Sequence, residues 1–360
     1  MGNNPSAILN NGRIRYLDLA RGIAVFFMIM QHAMIMHESS GGEGHTIIGN
    51  IFIALGTAPA APVFIFFMGV FLVKSNKSLK ENMMRGVKLF LLGYGLNLIR
   101  FTIPLVIAGW GKMISPGLFG VISGEPHGIM NYAIYLFFTV DIFQLAGLSL
   151  IFFSALKKYG DNKYLIPVLV LGILLLSPYL WGINDSVILF MPLWGKSEIV
   201  DFPLFPWCIY FLLGMYLSKY FYTPTMERKV KKGFIIVGGF LALIGCITIG
   251  NFPIGDYYRS GFSVHILIIS FLFFWLSMCD YIVKKMSRKG FDRFLNIIFF
   301  WSSNVTGIYV IQWILFGWSI LIIGSNRMPD YAAMVIGLLV VIMSHFIYGK
   351  IKHIQLKSLF

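Results

Sequence analysis

Residues 21–32 read RGIAVFFMIMQH, an arginine and a histidine eleven positions apart with no charge between them. On an α-helix that separation is about three turns, roughly 16 Å of rise with only about 20° of angular drift, so Arg21 and His32 share one face. A guanidinium grips phosphates and carboxylates with a fork of donors. An imidazole titrates near neutrality and serves as a general base. The pair therefore suits an extended anionic molecule that is held at one end and reacts at the other, and a coenzyme A thioester has that shape. Each residue also has an ordinary reading. Arginine near a helix end snorkels to lipid headgroups, and a histidine among aromatics is commonly a hydrogen-bonded packing group.

Further candidates surround this pair. The segment HESSGGEGH at 37–45 offers His37, Glu38, Glu43 and His45, either as an acid–base loop that binds an acceptor or as a solvated polar loop. It lacks HxxxH or HExxH spacing, so no metal is expected. Asp18 lies one turn before Arg21 and can pair with it, or serve simply as an acid in a helix's first turn. Tyr309 and Gln312 are three residues apart and share a face, with Asn304 one to two turns earlier; they can contact the donor or bond neighbouring helices. Arg100 and Asp141 fall at similar depths in two consecutive apolar runs. A lone charge there costs several kcal/mol on about the scale of insertion measurements, so the two are expected to face each other, as an ion pair or as the lining of a polar tunnel. Trp207 follows Pro206 at the start of another run and reads as an interfacial anchor or a wall of the acceptor site.

The elements that must position these residues are membrane helices. Of 360 residues 58% are hydrophobic and 12% charged, against about 25% charged in soluble domains, and mean hydropathy is +0.78. Apolar runs long enough to cross about 30 Å of hydrocarbon occur at 17–36, 58–74, 86–108, 133–156, 164–181, 204–221, 233–250, 262–283, 296–323 and 331–349. The expected fold is an all-α, polytopic bundle of about ten transmembrane helices. Residues 46–57 are too short to cross and read as a surface or re-entrant helix. Segment 1–16 precedes a single membrane domain at 17–350, and 351–360 form a tail. With the amino terminus inside, 23 of the 29 Lys and Arg residues fall on one side, which places both termini in the cytoplasm. The net charge of +14 is then topological, and nucleic acid is not an expected partner. Cys208, Cys246 and Cys279 sit in apolar runs without redox or metal spacing. No Walker loop or dinucleotide fingerprint is present.

The stretch RIRYLDLARGIAVFFMIMQHAMIM resembles the first span of the membrane acyltransferases of the acyltransferase-3 family. APVFIFFMGVFLVKS at 61–75 is similar to their second span, and SSNVTGIYVIQ at 302–312 to a late segment. FPLFPWCIYFLLGM at 202–215 is closer to the heparan-alpha-glucosaminide N-acetyltransferase branch of the superfamily. The resemblance implies transfer of an acyl group, acetyl above all, from cytoplasmic acyl-CoA to a hydroxyl or amine of a glycan or lipid-linked sugar outside. It implies no tightly bound cofactor, acetyl-CoA as cosubstrate, membrane lipids as surroundings, a homodimer as one assembly, and the plasma membrane of a bacterium. It assigns Arg21 and His32 to the active site, with Asp18 orienting the arginine and Asn304, Tyr309 and Gln312 near the donor. The heparan branch takes its histidine from the loop after the first span, so His45 rivals His32. Glu38, Glu43, Trp207, Arg100 and Asp141 fall to the acceptor side. The competing class is a secondary transporter or flippase with Arg100, Asp141 and His32 as coupling charges, for which no internal repeat is seen.

Overall fold

A computed structural model describes residues 14–39, 45–111, 128–159, 162–184, 187–221, 224–252, 254–287 and 292–357. Glu43 lies outside them. Every regular element among the described residues is helical, with only two isolated bridges, Glu38 with Met328 and Val140 with Val200. Among the described residues, seven helices or joined helix pairs are long and apolar enough to cross a membrane, and three more apolar helices are shorter. The chain divides into two units, Met1–Ala60, Pro104–Gly128 and Trp275–Phe360 in one, Ala61–Ile103 and Ile129–Phe274 in the other.

The first unit is organised around α1 (Arg15–His37), against which pack α2 (Ile47–Thr57) and three later helices, Asp292–Ser303, Val305–Ile323 and Asp330–Lys357. Small residues set these approaches. A Cβ on Gly22 would overlap Ile298, and one on Gly56 would overlap Gln31. Such close packing substitutes for the hydrophobic drive that lipid removes. Phe26 stacks on Trp301, Phe27 meets Phe52 and Trp275, and Trp275 Nε1 donates to the Ala20 carbonyl at 3.2 Å. These contacts lock the middle of α1 and fix the rotation of its Arg21–His32 face.

In the second unit, α3 (Ala60–Lys74) and α4 (Leu79–Asn97) lead to a π-helical turn at Leu98–Thr102; α5 (Ile103–Gly111) follows and belongs to the first unit from Pro104 on. Next come α6 (Gly128–Phe137), α7 (Ile142–Phe153), α8 (Leu165–Leu180), α9 (Met191–Trp194), α10 (Leu204–Phe221) and α11 (Pro224–Thr248). Gly69 of α3 and Gly214 of α10 form a reciprocal contact, since a Cβ on either would strike the backbone carbonyl of the facing helix, Phe211 or Phe66. Gly86 of α4 and Gly147 of α7 repeat the device. The remaining helices are α12 (Phe262–Ser287), whose residues divide between the units, and α13 (Asp292–Ser303), α14 (Val305–Ile323) and α15 (Asp330–Lys357) of the first.

Two expected spans are interrupted. Run 133–156 breaks between α6 and α7, because Asp141 caps α7 through Ile142 N–H at 2.6 Å in a reciprocal capping box with Gln144, while Val140 N–H bonds the Ile199 carbonyl at 2.8 Å. Run 296–323 breaks at Asn304. Its φ of −126° departs from the helix, and its Nδ2 turns back to the Phe300 carbonyl at 2.7 Å instead of capping α14. The segment expected as a short surface helix, α2, is separated from α3 by only two residues, and together they are long enough to span.

Candidate functional site

α1 carries the first cluster. His32 is half-buried, its ring 4.5 Å from the Trp313 ring and edge-on to Phe316. Its Nδ1 lies 3.3 Å from Gln312 Nε2, the side chain of a fully buried residue. Gln312 thus turns toward α1, and Tyr309, three residues earlier, is 4% exposed with its ring edge-on to Trp313 of the same helix. An amide can follow an imidazole through its protonation cycle. Its NH₂ donates to an unprotonated Nδ1, and its carbonyl accepts from Nδ1–H, in which case Nε2 is the basic nitrogen.

At the opposite end of α1, Asp18 is buried and its Oδ1 accepts from Ser302 Oγ at 2.8 Å. Asn304, two residues further, accepts from Lys352 Nζ at 3.3 Å, with that ammonium over the Phe300 ring. Arg21 is half-buried on the same helix. Arg21, Asp18, Asn304 and Lys352 therefore furnish a polar end to the helix group, and His32 lies three turns away on α1. Lys352 carried no sequence signal and Ser302 only its place in the family-like segment 302–312, because each gains its partner from the helix it meets.

Beyond His32 the segment 37–45 is not a solvated loop throughout. His37 is fully buried, with Nε2 3.0 Å from Ser319 Oγ and Nδ1 3.3 Å from the Gly324 carbonyl. Glu38 is 8% exposed, and its Oε2 lies 3.1 Å from His45 Nδ1. Asp330, the first residue of α15, places Oδ1 3.5 Å from the same nitrogen. Sequence reading missed Asp330, which lies 285 positions from His45. The two rival histidines thus have different neighbours, an amide and two aromatic rings beside His32 and two carboxylates beside His45.

The second unit holds a separate polar group. Arg100 Nη2 is 2.9 Å from Asp141 Oδ2, the pairing their matching depths require. Arg100 also donates twice to Asn97 Oδ1, at 3.1 and 2.8 Å, and Asn97 donates to the Phe137 and Thr139 carbonyls. The π-turn adds the residue that swings Arg100 toward this break between α6 and α7. Arg259 binds the Val200, Lys196 and Ser197 carbonyls. Burial, reinforced by repulsion from Asp141 and opposed by Arg100 and Arg259, raises the Asp201 carboxyl to about 7. Trp207 is fully buried and donates to the Tyr258 carbonyl at 2.8 Å, packing on Phe202, Tyr257 and His265. It is an interior staple of this unit and not an interfacial anchor. His265, for which the sequence suggested no partner, meets Tyr210 Oη at 2.8 Å.

Apolar helices of spanning length mark an integral membrane protein. The acyltransferase domain profile of the acyltransferase-3 family matches residues 14–347, and the chain belongs to that family. No curated protein gives a significant match to the sequence.

Proposed function

We propose that this membrane acyltransferase takes an acyl group, acetyl in the first instance, from acyl-CoA in the cytoplasm. It passes the group to a hydroxyl or amine of a glycan or lipid-linked sugar on the other side of a bacterial plasma membrane. The observation that carries the reading is His32 on α1, set against Gln312 and Trp313 and three turns from Arg21. The distribution of cations supports a cytoplasmic amino terminus and places Arg21 toward that side. Arg21, with Lys352 nearer the end of α15, supplies charge for the phosphates of the donor. His32 takes the proton of the acceptor as its oxygen or nitrogen attacks the thioester carbonyl, and Gln312 steadies the ring. The sulfur leaves as thiolate and is reprotonated, so that CoA returns to the cytoplasm. Positioning and proton removal are the main contributions.

The test is purified protein in liposomes supplied with radiolabelled acetyl-CoA and candidate glycan or isoprenoid-linked acceptors. Label transfer with stoichiometric CoA release is expected, and His32→Ala should lower kcat by about 10²–10⁴, the range of a lost general base. Solute uptake without CoA turnover, or full activity in His32→Ala, overturns the proposal.

A further inference from the structure

Among the described residues one group of three metal-ligating side chains stands together: Glu38, His45 and Asp330, whose ligating atoms all lie within 4.8 Å of one another. They come from the end of α1, the residue before the cap of α2, and the start of α15. The backbone holds them there independently of any ion. Ser39 N–H bonds the Met328 carbonyl and Met328 N–H the His37 carbonyl, both at 2.8 Å, which ties the approach to α15 onto the end of α1. Asp330 Oδ2 accepts from Thr46 N–H. Gly49 leaves room for that carboxylate, since a Cβ there would come within 2.6 Å of Asp330 Oδ2.

Three features suit this group to a bound ion. The first is spacing. His45 Nδ1 stands 3.1 Å from Glu38 Oε2 and 3.5 Å from Asp330 Oδ1; donor atoms around an ion with bonds of about 2.1 Å are roughly 3.0–3.4 Å apart. The second is alignment. Nδ1 is buried yet makes no aligned hydrogen bond with either carboxylate, whereas a carboxylate that orients a catalytic imidazole receives Nδ1–H directly. The third is the charge balance. Glu38 and Asp330 are 8% and 7% exposed. Two largely buried carboxylates meet at one imidazole, an excess of negative charge that a divalent cation balances.

We propose that Glu38, His45 and Asp330 bind one divalent transition-metal ion, of the zinc or manganese class that one imidazole and two carboxylates favour. Three protein ligands leave a coordination position open to water or to a hydroxyl of an incoming molecule. The site begins six residues beyond His32, about 9 Å of helical rise. The proposal does not depend on acyl transfer, and it reverses the expectation of no metal drawn from the spacing of 37–45, because the third ligand is remote in sequence.

The experiment uses the full-length protein in detergent micelles, stripped with chelator and dialysed against zinc chloride or manganese chloride, with bound metal measured by plasma mass spectrometry and affinity by calorimetry. One equivalent per chain is expected for the wild type. Glu38→Gln and Asp330→Asn should weaken binding by about 100-fold or more, the loss of a ligand costing at least what loss of a supporting group costs. The exposed Glu198→Gln variant should bind as wild type. His45→Gln, at a partly exposed position, serves if a carboxylate variant fails to fold. No metal retained by wild type, or equal affinity in folded ligand variants, overturns the proposal.

Discussion

Neutralising Asp141 tests whether the Arg100 pair is a structural support or a working charge. Arg100 is 2% exposed and faces the Asp141 carboxylate at 2.9 Å. Asp141→Asn keeps an oxygen able to cap α7, so the change isolates the charge from the cap. Breaking a buried pair by removing one partner costs about 3–5 kcal/mol, and in domains of this size 1 kcal/mol moves Tm by roughly 2–4 °C. A fall of about 6–20 °C is therefore expected in thermal unfolding monitored in nanodiscs. Arg100→Met removes the charge that Asp141 answers and should also destabilise. The double variant Arg100→Met/Asp141→Asn should recover about 2 kcal/mol or more relative to the sum of the singles, as coupled neighbours do. It should also turn over acetyl-CoA below its Tm. Single losses under about 1 kcal/mol, or strict additivity, would refute a buried pair. A double variant that folds yet loses all activity would assign the charges to function, as the transporter reading requires.

Other expectations follow from the same geometry. Asp201, raised to about 7 by burial and by Asp141, binds a proton in the fold that an unfolded chain releases near the ordinary carboxylate range. Its contribution to stability is complete at acid pH and is lost as pH rises through about 7, with a slope of up to roughly 1.4 kcal/mol per pH unit. Asp201→Asn should flatten the Tm–pH profile between pH 5 and 7 and exceed wild type at pH 8; an unchanged slope would show that Asp201 is not the group responsible. Gln312→Ala removes a neutral hydrogen bond to His32, worth about 1 kcal/mol, so kcat for CoA turnover should fall roughly fivefold with KM little changed; an effect confined to KM would place Gln312 in binding instead. Gly69→Ala drives a methyl into the Phe211 carbonyl and should lower Tm, whereas Gly172→Ala, which meets nothing within 4 Å, should be neutral or stabilising by up to about 1 kcal/mol. Equal effects would mean that the α3–α10 contact is not set by glycine.

What sequence reading captured were features recorded locally. Helical rise alone placed Arg100 opposite Asp141, and an i, i+3 spacing put Tyr309 and Gln312 on one face. The continuity of runs 133–156 and 296–323 was misjudged, because hydropathy measures transfer to lipid and is silent on caps. Asp141 with Gln144, and Asn304 with Phe300, end or begin helices inside apolar stretches. Trp207 was misplaced for a related reason: an indole after Pro206 looks interfacial until a carbonyl such as that of Tyr258 reaches it in the interior.

The site was half legible for the same cause. A face of one helix is periodic, so Arg21 and His32 can be read together. A group assembled from three segments has no period, and Asp330 enters only when the start of α15 is tied to the end of α1 through Met328 and Ser39. That tie also separates the two histidines by chemistry. His32 stands 3.3 Å from the Gln312 amide and against the Trp313 ring, whereas His45 stands beside the Glu38 and Asp330 carboxylates. A divalent ion held by Glu38, His45 and Asp330 would occupy His45 Nδ1, so the proposed metal site is read in bound metal and the proposed base in acyl transfer. CoA turnover and bound metal in His32→Ala and His45→Gln tell the two imidazoles apart, since the proposals require turnover to fall in the first and metal content in the second.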